Sequence, residues 1–420
     1  MKLAVLSDLH LGAQNCVLVR DGMRLPALDL LLEAIASGGS LDILVILGDL
    51  FDLSLAPFDK AWADARVFFE ALRPHATKVV YVPGNHDFSM WNYLEQDIAI
   101  TNRIRTKGSP KAFRYSVPAV LDFTAGSGGT PRLAGIDPTP GSGYDGGYFQ
   151  ELWPCGEDSE FLVAYPNLYL LEDGGTTLMT HGQYFDGFWN LLGDLCVEAA
   201  AQELHLQVPG KPNVAETVQL NYFTSLLNSS AIGQAGIFAD MVRSLSADAQ
   251  AGRTAMMEAM RPGIKRFVVA KLELHGLVGK IEAAVANLVL DKALEKLIAR
   301  IARPGSARFN ADYVTDHKAA IEAYLDMSFR ELSGLLPQEM LPSGFGRMLF
   351  GHTHLPTTAA DPSRPVAAPG GGSVACVNTG GWVLDDKDGF EAGVALYDSV
   401  APRWEMVDVS KAGVSAPFPI

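Results

Sequence analysis

The sequence has few cysteines, few charges and no long apolar run, and each scarcity excludes a class of protein. Its four cysteines, Cys16, Cys155, Cys196 and Cys376, lie far apart without a CxxC pair, so neither a disulfide framework nor a cysteine zinc site is expected. No uncharged apolar stretch reaches about 18 residues, which disfavours a membrane-spanning helix. The opening residues lack the basic start and apolar core of a signal peptide, so we expect a cytoplasmic protein.

The composition is typical of a folded, acidic protein. Among 420 residues, 48% are hydrophobic and only 19% are charged, which is enough apolar material for a sizeable core. The formal net charge is −15, which disfavours a protein that coats a nucleic-acid backbone with lysine and arginine. The length allows two domains, or one domain that carries a large insertion.

Both ends of the chain alternate short strands with amphipathic helices, which predicts an α/β fold. The predicted strands are Leu3–Ser7, Leu41–Leu47, Lys78–Val82, Arg132–Ile136, Leu168–Thr180, Met348–Phe350, Ala375–Asn378, Ala392–Tyr397 and Arg403–Val407. The predicted helices of this part are Leu25–Ala36, Ala61–Leu72 and Trp91–Arg105. A loop rich in Gly, Pro and Ser is predicted over Asp361–Ser373.

The middle of the chain has long helical patterns and few strand signals. We therefore predict a discontinuous α/β core, residues 1–186 and 343–420, and a helical insertion or cap over residues 187–342. The predicted helices of the insertion are Trp189–Leu206, Val214–Leu227, Gly236–Leu245, Ala255–Met260, Lys265–Arg303 and Asp316–Leu335. Within it, residues 261–308 carry ten basic and four acidic residues on an amphipathic pattern. Such a helix suits peripheral contact with an anionic membrane, although packing within the insertion explains the pattern as well.

Five short motifs place chemically active side chains directly after predicted strands. They are Asp8-Leu-His10, Gly48-Asp49, Gly84-Asn85-His86-Asp87, His181-Gly182 and Gly351-His352-Thr-His354. In open α/β sheets the strand ends form the binding crevice, so we expect the five motifs to meet in space. The last two motifs flank the insertion, which is why we interpret the middle segment as inserted in the core.

The motifs supply the ligands of divalent metal ions, namely carboxylate and amide oxygens with imidazole nitrogens and no thiolate. We expect Asp49 to bridge two cations. Asp8, His10 and His354 would complete one site, and Asn85, His181 and His352 would complete the other. Two cations about 3.5–4 Å apart can hold a bridging hydroxide and aim it at phosphorus.

His86 is expected to act as an acid and not as a ligand. With Asp87 or another acceptor on its second nitrogen, the imidazole would donate a proton to a leaving alkoxide. Asp52, three residues beyond Asp49, is expected to orient a metal ligand without binding the metal itself.

The ordered motif set resembles the calcineurin-like metallophosphoesterase superfamily, over the predicted core and not over the insertion. The resemblance implies an αββα sandwich of two mixed sheets and a phosphoric ester hydrolase. It also implies a centre of two divalent metal ions, with Mn preferred over Fe, Zn, Ni or Co, and it agrees with the ligand assignments above. The segment Asn378-Thr-Gly-Gly-Trp382 also resembles the strand and turn that follow the last motif in many members.

Because His86 would assist a poor leaving group, we expect the substrate to be a phosphodiester or a pyrophosphate, on a phosphorylated small molecule or a lipid-linked one that the cap selects. One alternative is an enzyme like the nucleotide-sugar lipid pyrophosphatases at the membrane surface, although that group usually carries Arg at the position of His86. A second is a DNA phosphodiesterase or nuclease, disfavoured by the acidic charge and by the long separation of His181 from His352. A third, of a different class, is a non-catalytic metal-binding scaffold.

Overall fold

The computed structural model describes most of the predicted core and parts of the predicted insertion. The described residues are 1–54, 56–124, 146–153, 160–187, 212–229, 310–384 and 389–420, together with 189, 190, 193, 194, 197 and 262. The predicted strand Arg132–Ile136 and the predicted helices Gly236–Leu245, Ala255–Met260 and Lys265–Arg303 lie outside these residues. The same is true of nearly all of the basic segment 261–308 and of most of the predicted helix Trp189–Leu206.

The described residues form sixteen strands and seven α-helices. The strands are β1 (Lys2–Leu6), β2 (Val19–Arg20), β3 (Met23–Arg24), β4 (Leu41–Leu47), β5 (Ala76–Val82), β6 (Ala119–Asp122), β7 (Glu160–Val163), β8 (Asn167–Glu172), β9 (Gly175–Thr180), β10 (Arg347–Phe350), β11 (Arg364–Ala367), β12 (Ser373–Asn378), β13 (Glu391–Asp398), β14 (Arg403–Ser410), β15 (Gly413–Val414) and β16 (Phe418–Pro419). The helices are α1 (Pro26–Ser37), α2 (Phe58–Leu72), α3 (Phe88–Gln96), α4 (Asn102–Arg105), α5 (Val214–Ser229), α6 (Asn310–Asp316) and α7 (Lys318–Leu335).

The first sheet has the strand order β15-β14-β13-β1-β4-β5-β7, with β16 paired to β14. Strands β1, β4, β5 and β7 run parallel, whereas β13 joins β1 in the antiparallel direction. The run Leu41-Asp-Ile-Leu-Val-Ile-Leu47 is apolar almost throughout because β4 is central and buried on both faces. The carboxyl ends of β1, β4 and β5 therefore lie side by side.

The second sheet has the strand order β11-β12-β10-β9-β8-β6. It is also mixed: β9, β10 and β12 are parallel neighbours, and β8 and β9 form an antiparallel hairpin. Thr180 ends β9 and Phe350 ends β10, so the fourth and fifth motifs leave adjacent strands at the same edge.

The two sheets enclose one hydrophobic core. The Arg347 guanidinium of the second sheet stacks over the Trp404 ring of the first at 5.5 Å, and the Phe123 ring, just after β6, lies 6.1 Å from Tyr397. On the outside of the first sheet, α1 buries Leu28, Leu31 and Ile35 on one face. The predicted α/β sandwich of two mixed sheets is confirmed.

Two elements differ from the sequence prediction for identifiable reasons. The single strand predicted over Leu168–Thr180 is two strands, because Asp173-Gly174 forms a two-residue hairpin turn in which Gly174 has a φ of 94°. The helix predicted over Trp91–Arg105 begins at Phe88 and contains a π-helical turn over Asp97–Thr101.

Part of the predicted insertion packs directly on the sandwich. On α7, the side chains of Ile321, Tyr324 and Leu325 are fully buried in the same core as the sheets. Helix α5 lies against α3, where Ser89 N–H donates to Ser229 Oγ at 3.0 Å and Ser89 Oγ donates to Ser229 O at 2.8 Å. None of the helices in the described part of the chain combines the length and the apolar character that a membrane crossing requires.

Candidate functional site

The five motifs meet where the two sheets face each other at their carboxyl ends. Backbone hydrogen bonds join four of them in two pairs: His10 N–H donates to Asp49 O at 2.8 Å, and Gly351 N–H donates to His181 O at 2.8 Å. The two pairs are linked by His352 N–H, which donates to the Asp8 carboxylate at 3.0 Å. These four motifs are thus held by neighbouring strand ends and not by their own loops alone.

Strained backbone is concentrated at these positions. Seven non-glycine residues of the described chain have positive φ, and five of them are the predicted ligands Asp8, His10, Asp49, His352 and His354. A positive φ is costly for residues with a Cβ atom and persists where surrounding contacts impose it, often at functional sites. The conformation turns these side chains out of the strand direction and toward one another.

The first ligand group consists of Asp8, His10 and His354. The Nε2 atoms of the two histidines lie 3.0 Å apart, and His354 Nε2 lies 3.4 Å from Asp8 Oδ1. Asp8 is fully buried and His10 is 2% exposed, whereas the His354 side chain is 37% exposed and lies on the solvent side of the group. Burial raises the pKa of Asp8, but His181 and His354 outweigh it and the net pKa is lowered, so the carboxylate is charged.

The second ligand group consists of Asp49, Asn85, His181 and His352. His181 Nε2 lies 3.2 Å from Asp49 Oδ2 and 3.0 Å from Asn85 Oδ1, while His352 Nδ1 lies 2.8 Å from the same Asn85 oxygen. Asp49 Oδ2 also lies 3.8 Å from His10 Nε2. One carboxylate oxygen of Asp49 therefore faces both groups, the position that a bridging ligand needs.

The hydrogen bonds of the Nδ1 atoms of His181 and His10 determine which ring nitrogen faces the centre of the site. His181 Nδ1–H donates to Leu47 O at 2.8 Å, and His10 Nδ1–H donates to Asp52 Oδ2 at 3.3 Å. In the neutral imidazole the other nitrogen, Nε2, then carries a lone pair. Carboxylate oxygens, an amide oxygen and imidazole lone pairs converge in a buried space, a set composed of acceptors that a divalent cation satisfies.

The electrostatics of the site agree with this donor set. Burial lowers the pKa of His181, but Asp49 and Asp8 raise it to about 10. Burial likewise raises the pKa of Asp49, but His181 and His86 hold it far below its ordinary value. The field that keeps a proton on His181 attracts a metal cation to the same place. At His352, burial lowers the pKa despite the opposing effect of Asp186, whose carboxylate faces His352 Nε2 as an acceptor.

The glycines of the motifs are sites of close approach. A methyl group added at Gly84 would overlap Asp49 Oδ1, and one added at Gly351 would overlap Asp8 Oδ2. At Gly48, with a φ of 80°, it would overlap the His181 ring. Each glycine lets the backbone of one motif touch the ligand of another.

His86 lies beside the ligand groups and is held by Asp52. Its Nδ1 lies 3.1 Å from Asp52 Oδ1, and its backbone N–H donates to Asp49 Oδ1 at 2.8 Å. Burial lowers the pKa of His86, but Asp52 and Asp49 outweigh that effect and raise it to about 9. The imidazole is therefore protonated near neutral pH, as an acid must be.

The acceptor on the second nitrogen of His86 is Asp52, whereas Asp87 binds backbone groups of the loop. Its carboxylate accepts hydrogen bonds from Gly84 N–H at 2.6 Å and Phe51 N–H at 3.2 Å. Burial and the charge of Asp49 raise the pKa of Asp87 to about 7. It thus supports the loop that carries Asn85 and His86, while Asp52 faces the His86 ring.

Three residues of the site carried no recognisable sequence signal. Asp186 Oδ2 lies 3.8 Å from His352 Nε2, and the Trp189 ring lies 6.1 Å from the His352 ring in an edge-on arrangement. Ser54 contacts both Asp52 and His86. Each depends on a spatial neighbour distant in sequence or on a side-chain direction, neither of which a motif encodes.

The sandwich and its clusters of Asp and His side chains, which could hold metal ions, are the features expected of a metal-dependent phosphoesterase. The family model of the calcineurin-like phosphoesterases matches residues 1–153, which include the first three motifs. The match supports the resemblance to the metallophosphoesterase superfamily, and a domain of this type indicates a phosphoric ester hydrolase. A search of curated proteins found no match to the chain.

Proposed function

We propose that the protein hydrolyses a phosphodiester or pyrophosphate bond with the help of two divalent metal ions. The preferred metal at both positions is Mn²⁺. The observation that carries this proposal is the acid His86, held beside an acceptor-rich centre. Monoesters with good leaving groups have little need of such an acid, whereas the alkoxide or phosphate that leaves a diester or pyrophosphate gains from a proton.

The geometry supports the ligand roles predicted from the motifs. Asp8, His10 and His354 would hold one ion and Asn85, His181 and His352 the other, with Asp49 shared between them. Bound there, the two ions would supply Lewis acidity toward the phosphoryl oxygens and a lowered pKa for an attacking water. The chain itself orients its ligands through Leu47 O and Asp52, and His86 delivers a proton from Nε2 to the leaving oxygen.

The first test combines metal analysis with hydrolysis of bis(4-nitrophenyl) phosphate in the presence of Mn²⁺. We expect about two metal ions per chain, and we expect Asp49→Ala and Asn85→Ala to abolish turnover. A wild-type protein that neither binds metal nor hydrolyses the diester would instead support the non-catalytic scaffold.

The acid role has its own test. His86→Ala should keep the metal content and lose the most activity, about 10²–10⁴-fold, on substrates with poor leaving groups. Equal slowing across all leaving groups would contradict the role of His86 as the acid.

We also propose that the helical insertion limits access to the centre and selects the substrate. Trp189 covers His352, and α5 packs on α3 close to the loop that carries His86, which supports this role. Because α7 packs into the core, the selective part would comprise the segment before residue 310. Trp189→Ala should change KM and the preference among large diesters but leave kcat for a small aryl diester within about threefold. Unchanged selectivity toward all substrates would argue against the cap.

The lipid-linked and small-molecule substrates differ in what they require of the protein. A lipid-linked pyrophosphate would need a membrane-facing element, for which the basic segment 261–308 is the sequence candidate. A comparison of a soluble nucleotide diphosphate-sugar with its lipid-linked counterpart in mixed micelles would separate them, and single-stranded DNA serves as the nuclease arm.

A further inference from the structure

Ser54 lies behind the acid of the proposed reaction, in the connection between β4 and α2. Its side chain is 1% exposed and its hydroxyl makes two contacts, one to Asp52 Oδ1 at 2.6 Å and one to His86 Nδ1 at 2.7 Å. Both distances are shorter than the 3.1 Å that separates His86 Nδ1 from Asp52 Oδ1. The hydroxyl therefore fits into the angle between the carboxylate and the imidazole.

The direction of these hydrogen bonds follows from the groups involved. Ser54 Oγ–H donates to Asp52 Oδ1 at 2.6 Å, because the oxygens of an ionised carboxylate only accept hydrogen bonds. The contact between Asp52 Oδ1 and His86 Nδ1 then requires a hydrogen on Nδ1. The Ser54 proton goes to Asp52, which leaves a Ser54 Oγ lone pair to accept from the same Nδ1–H. His86 is anchored by a shared, three-centre hydrogen bond.

Asp52 alone does not restrain the ring of His86 in this way. Its Oδ2 atom accepts from His10 Nδ1–H at 3.3 Å, so the carboxylate serves a metal ligand and the acid at once. Ser54 contacts only the half of the carboxylate that faces His86. Removal of Ser54 would leave His10 and its support in place and would free the imidazole to turn about its side-chain bonds.

We propose that Ser54 is a positioning residue that fixes the His86 ring with Nδ1 toward Asp52 and Nε2 toward the leaving oxygen. The inference rests on the proposed acid role of His86 and adds to it the group that sets the ring orientation. Ser54 does not contact the ligand atoms that would bind the metals, nor the place where a substrate would bind. Its effect on the reaction therefore passes through His86.

The experiment compares Ser54→Ala with wild type on phenyl phosphodiesters whose leaving phenols range from nitro- to methyl-substituted. Ser54→Ala should lower kcat about 10- to 100-fold for the poorest leaving groups. For the nitrophenyl ester kcat should change less than about threefold, because little proton transfer is needed there. KM and the metal content should stay at their wild-type values. Ser328→Ala removes another fully buried serine hydroxyl, on α7, and is the matched control.

A second readout uses the metal-free protein. In a ¹⁵N-histidine NMR spectrum, wild-type His86 should show a slowly exchanging Nδ1–H resonance, identified by its disappearance in His86→Gln. Ser54→Ala should shift this resonance or lose it to exchange, and Ser328→Ala should leave it in place. Ser54→Cys, which keeps the volume but offers only a weak donor, gives the same comparison if the alanine variant does not fold.

The outcomes separate the two levels of the proposal. Equal slowing for all leaving groups, loss of metal, or an unchanged Nδ1–H resonance in the variants would overturn the role of Ser54. A wild-type protein with no activity on any diester would overturn the proposed function, and the NMR comparison would still decide whether Ser54 holds the His86 ring.

Discussion

Replacement of Glu331 on α7 tests whether this helix is an integral part of the sandwich. Its Oε1 accepts from Ser116 Oγ at 2.6 Å, and its Oε2 accepts from Tyr169 O–H at 2.7 Å and Asn167 Nδ2–H at 3.0 Å. The carboxylate thus joins α7 to β8 and to the segment before β6. If α7 belonged to a loosely attached cap, loss of the Glu331 carboxylate from this network would have little effect on the stability of the core.

The cost of Glu331→Ala can be estimated from what each donor retains. Tyr169 O–H can still donate to Ser328 O at 3.0 Å, and Asn167 Nδ2 keeps Ser328 Oγ at 3.3 Å. Ser116 Oγ has no other hydrogen-bond partner within the described ranges. One hydrogen bond to a charged group is then lost outright, and a cavity of several atoms remains. We expect the free energy of unfolding to fall by on the order of 3 kcal/mol.

Glu331→Gln should behave quite differently. The amide oxygen can take the place of Oε2 and accept from Tyr169 and Asn167, while the amide nitrogen donates to Ser116 Oγ, whose hydroxyl can turn to accept. All partners stay satisfied without a buried charge, so stability should lie within about 1 kcal/mol of wild type at weakly acidic pH.

The pKa of Glu331 predicts how the stability of Glu331→Gln relative to wild type changes with pH. Burial raises the pKa of Glu331 above its ordinary value, although Ser116, Tyr169 and Asn167 partly oppose the shift. The folded state then binds this proton more tightly than the unfolded state. The stabilising contribution of the proton is complete below the unfolded pKa and is lost as pH rises through the folded pKa. Relative to wild type, Glu331→Gln should therefore become more stable as pH rises from about 4.5.

The assay is urea unfolding followed by tryptophan fluorescence, at several pH values between about 5 and about 8. Glu322→Gln makes the same chemical change at a partly exposed position of α7 and should keep the wild-type pH profile. A loss below about 1 kcal/mol for Glu331→Ala, or equal losses for the alanine and glutamine variants, would refute the reasoning.

Three further predictions concern the metal centre. Gly84→Ala should push Asp49 out of place and lower kcat/KM at least about tenfold, with a reduced metal content by elemental analysis; wild-type values would contradict the close approach. Asp186→Ala should weaken metal affinity about 10- to 100-fold in a chelator competition, because His352 loses the acceptor near Nε2, and unchanged affinity would mean that Asp186 does not support this ligand. Mn²⁺ added to metal-free protein at about one hundred times Kd should stabilise the fold by about 2.7 kcal/mol, seen as a higher Tm, and Asn85→Ala should show a smaller shift.

The sequence predicted those parts of the molecule whose signals are local. Strands β1, β4 and β5 are short apolar runs that end in a polar motif, and that pattern located the strands and led to the candidate ligands at their ends. The left-handed backbone at Asp8, Asp49 and His354 was beyond prediction, because neighbouring strands impose it and no local preference does.

Less was predictable where partners lie far apart along the chain. Strand β11, inside the loop predicted over Asp361–Ser373, is strand-like only because it pairs with β12. Of the acceptors that the sequence left open for the second nitrogen of His86, the structure has Asp52, because the Asp87 carboxylate accepts from the backbone N–H groups of Gly84 and Phe51. Helix α7 was predicted as a helix, but its burial in the core depends on partners such as Asn167 and Tyr169 on the far side of the insertion.

The position of β1 has a consequence for how the chain is made. Strand β1 stands in the middle of its sheet, and one of its two neighbours is β13, whose residues Glu391–Asp398 are synthesised much later. At about 5–20 residues per second, on the order of tens of seconds pass between the synthesis of the two strands. During that time β1 presents an open, apolar edge of the kind that recruits other strands. Correct assembly of this sheet therefore depends on how well that edge is protected until the β13–β14 hairpin arrives.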